Sequence, residues 1–176
     1  MPANTDLQDL TLAQVAVLQS DLMARLQSAP SLSDFYASLG LTPEFFESIY
    51  ALGVADYQAG DYENARLHLT KLLRLQPGEP RFSKAMGTTL QALQQYEAAL
   101  IHYLDAFQGR PHDVAILFYS AQCLLMLKRQ DDAHRVLQAL IARPDAQRWH
   151  ERARTLLPLS IPHVLFNQAK DEVLQK

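Results

Sequence analysis

A 34-residue period runs through the middle of this 176-residue chain and constrains its fold more than any other feature. Gly53, Gly87 and Ala121 stand one period apart, and Tyr62, Tyr96 and Gln130 follow at the same spacing. Ala65 falls on Ala99 and Ala133, Leu69 on Tyr103 and Leu137, and Leu72 on Ala106 and Leu140. Pro77 and Pro111 close the first two copies; Pro144 arrives one place early in the third. A copy of this length is one supersecondary unit that cannot bury its apolar face alone, so the copies must stack. Small residues at 53, 87 and 121, and again at 65, 99 and 133, let two helices cross closely. The larger residues at the next conserved-spacing positions fill the space between helices. The prolines remove a backbone donor and end the second helix of each copy.

The pattern predicts helix pairs at 43–58 and 62–75, 79–93 and 96–108, and 113–127 and 130–142. Thr42 is placed to cap the first, with Pro43 at its opening position, and Asp61 to cap the second after a tight turn at Gly60. The fold class is all-α, a tetratricopeptide-repeat superhelix of three helix pairs with flanking N-terminal and C-terminal helices. The repeats span about 46–79, 80–113 and 114–147, within a domain over 31–157. The usual tryptophan near the start of the first helix is missing. Residues 1–30 form an N-terminal helix whose apolar stripe, with Leu7, Leu18, Leu22 and Leu26, needs a cover and makes it a candidate dimerisation arm. Ser31 caps a short helix over Leu32, Phe35, Tyr36 and Leu39. Trp149, Ala153 and Leu156 share a face on a capping helix over 145–157, and the tail at 158–176 has helical character over 163–174.

Composition narrows the function classes. Hydrophobic residues make up 48% of the chain and charged residues 20%, which excludes a disordered acidic tail. The formal charge of −3 is mixed in sign and gives no footprint for nucleic acid or an anionic membrane. No 18-residue apolar run and no leader pattern stand out, so the expected compartment is a reducing cytoplasm. Cys123 is single and mid-helix, the pattern of an inert core thiol. His68, His102 and His134 lie on helix surfaces without convergence. No metal, cofactor or catalytic constellation is expected, and the chain reads as a non-enzyme.

In such repeats the first helix of each pair lines a concave face. Its exposed positions are Glu47, Tyr50, Val54 and Tyr57, then Arg81, Lys84, Thr88 and Gln91, then Ala115, Phe118, Gln122 and Leu125. This strip mixes apolar and amide side chains and suits an extended peptide. Tyr50, Tyr57 and Phe118 could equally pack among helices, and Phe45, Phe46, Phe82 and Tyr119 have the character of packing residues. A groove that clamps a terminal carboxylate is excluded, because Tyr50 and Val54 occupy places that would need basic and amide groups. On the repeat alone, a general tetratricopeptide scaffold or regulatory adaptor serves as well as any narrower reading.

Several strings narrow it. "IYALGVADYQAGDYENA" at 49–65, Pro80-Arg81-Phe82, Gln91-Ala92 followed by Tyr96, Arg110-Pro111 and "SAQCLLML" at 120–127 resemble the class II chaperones of bacterial type III secretion, over about residues 32–155. The resemblance implies a cytoplasmic chaperone that holds an extended segment of a hydrophobic translocator in its groove and keeps it soluble and export-competent. It implies Tyr50, Tyr57, Phe82 and Phe118 as groove residues and a homodimer through the N-terminal helices. The runs "GTTLQAL" at 87–93 and "PHDVAILF" at 111–118 depart from the family pattern.

Overall fold

The computed structural model describes residues 11–160. Leu7 and the helical tail expected over 163–174 lie outside the described residues. The chain divides into two compact units at the Glu47–Ser48 junction.

The first unit holds α1 (Leu12–Ser28), α2 (Leu32–Ser38) and the opening turn of α3 (Pro43–Gln58). Thr11 and Gln14 form a reciprocal cap on α1: the Gln14 amide donates to Thr11 Oγ1 at 3.3 Å, and the Thr11 amide to Gln14 Oε1 at 2.8 Å. Ser31 caps α2 by accepting from the Asp34 amide at 3.1 Å, and Phe45 donates its amide to Thr42 Oγ1 at 3.3 Å. Arg25 ties α1 to α2 by donating to the Ser38 carbonyl at 2.8 Å. Along α1, Val17, Leu18, Leu22, Met23 and Leu26 are all exposed.

The second unit holds the rest of α3, then α4 (Tyr62–Leu75), α5 (Pro80–Ala92), α6 (Tyr96–Gly109), α7 (Ala115–Met126), α8 (Gln130–Ile141) and α9 (Gln147–Leu156). Within pairs, α5 packs on α6 and α7 on α8; between pairs, α4 packs on α5, α6 on α7 and α8 on α9. Gly53 on α3 faces Ala65, His68 and Leu69 on α4. The residues picked out by the period form the core. Ala65, Ala99 and Ala133 are fully buried, as are Leu72, Tyr103, Ala106, Leu137 and Leu140. α7 starts two residues later than the period predicts, at Ala115. Asp113, the acid best placed to cap it, instead reaches Lys84 on α5. The capping helix is split: Pro144–Ala146 form a 3-10 turn ahead of α9. Trp149 and Ala153 are buried there as predicted, and Leu156 is half-buried.

Each pair reverses through the same turn. Gly60, Gln94 and Lys128, one period apart, all take positive φ, at 82°, 61° and 59°. The amide after each donates back to a carbonyl in the last turn of the preceding helix: Asp61 to Asp56 at 2.9 Å, Gln95 to Leu90 at 2.8 Å and Arg129 to Leu124 at 2.9 Å. This closes the orphan carbonyls that every helix end leaves.

The crossings inside the pairs are not equivalent. Where the first and third pairs carry Leu69 and Leu137, the second carries Tyr103, and its ring occupies the space beside Gly87. A Cβ on Gly87 would stand 2.7 Å from that ring, whereas a Cβ on Gly53 would meet nothing closer than 3.4 Å. Gly87→Ala is therefore expected to cost about 1–3 kcal/mol through overpacking, and Gly53→Ala to be nearly neutral. Denaturant unfolding of the two variants checks the contrast; equal losses would contradict the Tyr103 contact.

Candidate functional site

A cleft of about 330 Å³ opens between the first helices of the repeats. From α3, Tyr50, Gly53, Val54 and Tyr57 line one wall. From α5, Arg81, Lys84, Ala85 and Thr88 line the other, with Leu69 and Ile116 at the apolar floor and Pro80, Arg110 and Asp113 at one end. Most of the cleft surface is carbon. Six residues expected from the repeat register thus meet in one cavity: Tyr50, Val54, Tyr57, Arg81, Lys84 and Thr88.

The aromatic wall is held from behind. Tyr50 lies 5.5 Å from Phe82, and the Arg81 guanidinium sits 5.2 Å over the Tyr50 ring. Such a stack fixes the tyrosine while leaving its edge to the cleft. Tyr57 is backed by Tyr62, ring centroids 5.3 Å apart. Partial burial, then the neighbouring Tyr62 and Tyr119, push the Tyr57 phenol above its ordinary pKa. It stays neutral across the physiological range and can both donate and accept.

The polar side chains are less free than their positions suggest. Lys84 Nζ pairs with Asp113 at 2.5 Å. Thr88 donates its hydroxyl to the Lys84 carbonyl at 2.9 Å. The buried Tyr103 hydroxyl donates to Gln91 Oε1 at 2.7 Å, and Gln91 Nε2 donates to Gln122 Oε1 at 3.2 Å. Gln91 thereby joins α5, α6 and α7 through its carbonyl oxygen and one N–H. Gln91, Gln122 and Leu125 are not among the cleft-lining residues.

Two expected groove residues need correction. Phe82 is 1% exposed and Phe118 is 3% exposed, so neither presents a surface to a guest. Phe82 is the packing partner behind Tyr50. Phe118 lies under α9, with Trp149 at 5.1 Å and the Arg152 guanidinium 5.1 Å above its ring. The capping helix buries the aromatic that the third repeat would otherwise expose. Ala115, at the start of the same face, is 4% exposed. The sequence reading also missed Asp113, Arg110 and Ala85. Asp113 sits at a repeat end where it reads as a helix cap, and only the fold shows that it crosses to Lys84, 29 residues away.

Among the described residues no group of His, Cys, Asp and Glu side chains could hold a metal ion. Cys123 is fully buried, and burial pushes its thiol up to about 12. Among the described residues no helix is long and apolar enough to cross a membrane.

Comparison with known proteins places this arrangement. The tetratricopeptide-repeat pattern matches residues 84–151. Low calcium response locus protein H of Yersinia pseudotuberculosis is 28% identical over 121 residues, 66% of this chain and 72% of that protein. The type III secretion chaperone SycD of Yersinia enterocolitica, solved with a peptide of the translocator YopD, superposes with a TM-score of 0.62 at 27% identity, over 68% of this chain and 95% of SycD. PcrH of Pseudomonas aeruginosa has been solved with the chaperone binding region of PopD. That structure superposes with a TM-score of 0.63 at 28% identity, over 69% of this chain and 94% of PcrH. The fold matches that of the SycD- and PcrH-type class II translocator chaperones of type III secretion. The cleft therefore occupies the inner face of a tetratricopeptide array.

The burial difference makes a stability prediction. Phe118→Ala is expected to cost about 3–5 kcal/mol, as for a fully enclosed aromatic, and the half-buried Tyr57→Ala about 1 kcal/mol. Guanidinium titration of both variants measures it, and a Phe118→Ala protein as stable as wild type would mean that α9 does not seal that ring.

Proposed function

We propose that this protein is a cytoplasmic secretion chaperone that binds an extended segment of a hydrophobic translocator in the cleft between α3 and α5. The observation that carries the reading is the cleft itself: an open, carbon-rich slot between Tyr50, Val54 and Tyr57 on one side and Ala85 and Thr88 on the other. SycD and PcrH, with the same repeat fold, have been solved with translocator peptides. The task is physical rather than catalytic. A membrane-inserting client exposes apolar stretches that associate in water, and covering one of them keeps the client monomeric until export. Each fully buried aliphatic anchor contributes roughly 1.5–3 kcal/mol before ordering costs, so two or three support micromolar binding. The general-adaptor reading needs only the repeats and makes no use of an apolar cleft.

The groove assignment for this chain is Tyr50, Val54, Tyr57, Arg81, Lys84 and Thr88, with Phe82 and Phe118 as supports. Val54→Glu combined with Tyr57→Ala is expected to weaken the client segment that copurifies from the native host by at least ~10-fold, about 1.4 kcal/mol. Titration calorimetry reads it, with circular dichroism to show the fold intact. Unchanged affinity, or recovery of soluble partners alone, would sink the reading.

The exposed stripe of α1 bears on assembly. Leu18, Leu22 and Leu26 stand open to solvent, and a relative, SycD, has been solved as an alternative dimer. We infer a homodimer in which these leucines are covered by a second copy. Light scattering at high micromolar concentration should give twice the chain mass, and Leu22→Glu should return it to one.

A further inference from the structure

Many cationic side chains of this chain lie beside acids, and two stacked arginines on the capping helix do not. On the cap, Arg143 pairs with Asp145 and Arg154 with Glu151, each at 2.7 Å. Arg148 and Arg152 have no carboxylate partner among the described residues, although both are exposed. They stand one helical turn apart on α9, so two like charges face one another without an intervening acid. Both are held over the same indole: the Arg148 guanidinium lies 5.5 Å and the Arg152 guanidinium 5.0 Å from the Trp149 ring centroid. The aromatic stacking restrains two cations that repel, and it leaves their N–H edges available.

Their place in the array gives this pair a meaning. Phe118 holds the position on α7 that Tyr50 holds on α3 and Lys84 on α5, at the 34-residue spacing, and both of those line the cleft. Phe118 itself is covered, and the guanidinium of Arg152 lies over its ring. Arginine supplied by α9 thus covers the residue that holds the inner-face position in the third repeat.

We propose that Arg152 and Arg148 form a carboxylate-binding extension of the groove that reads an acidic residue in the guest, beyond its apolar anchors. This rests on the chaperone reading above. A guanidinium stacked on an aromatic is weakly hydrated and presents a planar fork that a carboxylate fits. A single acid between the two arginines also removes their mutual repulsion. The chain's net charge of −3 works against long polyanions and membranes, which would meet the whole surface field, and favours a short acidic stretch that meets only this pair.

The test uses the full chain and two fluorescent synthetic 14-residue peptides. They share an apolar half of Val, Pro and Leu and differ in the other half, rich in Asp or in Asn, each made in both chain orders. Anisotropy should show the Asp peptide binding at least ~10-fold tighter than the Asn peptide in one order, with the advantage shrinking as salt rises. Arg148→Glu with Arg152→Glu should abolish the preference and leave Asn-peptide binding unchanged. Arg148→Glu alone, which leaves the cover over Phe118 in place, should reduce it and guards against a folding defect. Tyr57→Ala should lower both affinities and keep their ratio. Equal affinity for the two peptides, or a preference that survives the double charge reversal, would overturn the extension while leaving the groove intact. Tighter capture of a DNA oligonucleotide or phosphatidylserine vesicles than of the Asp peptide would also overturn it. Binding of neither peptide would count against groove and extension together.

Discussion

Tyr103 carries a phenol into the fully buried centre of the second repeat, and the rest of the array is organised around what that ring requires. Its bulk is accommodated because residue 87 lacks a side chain. Its hydroxyl is satisfied because Gln91 turns inward to accept from it, and Gln91 in turn donates to Gln122. A buried hydroxyl without an acceptor would cost about 1–3 kcal/mol, so the three side chains stand or fall as a group. Burial raises the phenol's pKa well above its ordinary value, which keeps it a donor. Three helices, α5, α6 and α7, are thus joined by one polar chain passing through an otherwise apolar interior, and the α5 wall of the cleft belongs to that set.

The groove gains its character from this economy of polar groups. Amide and hydroxyl side chains that point toward a guest in a generic repeat are here engaged with the protein itself: Thr88 with its own helix, Gln91 with Tyr103, Lys84 with Asp113. What remains on the open surface is largely aromatic and aliphatic, with the Arg81 and Arg110 guanidinium groups and the tyrosine hydroxyls as its polar part. A cleft that offers few unsatisfied donors makes few demands on the sequence of a guest. Selectivity then has to come from shape and from charge at the margins.

Much of the fold was legible in the primary structure because small residues at helix crossings repeat strictly. Ala65, Ala99 and Ala133 announce three equivalent helices, and all three are buried as the spacing requires. The individuality of the crossings is visible only as an exchange of Leu for Tyr at position 103, whose consequence depends on which side chain lies opposite. The site was half legible. Register placed Tyr50, Val54 and Tyr57 on the inner face, and they line the cleft. It could not show that Phe118 is roofed by Trp149, because α9 belongs to no repeat and its approach angle is set by the turn at Pro144. It could not show the Lys84–Asp113 bridge, because a carboxylate at a helix start reads as a cap whenever its long-range partner is unknown.

The three reversal turns have a different bearing. Residues 60, 94 and 128 share one left-handed backbone state, but only the first is the residue type that adopts it without steric penalty. Gln94 and Lys128 therefore adopt a backbone state that favours glycine, at two turns that do not line the cleft. Mutation there can alter how firmly the solenoid closes without altering what it recognises. Robustness and recognition in this molecule sit on separate dials, so a lineage can drift in one while selection holds the other still.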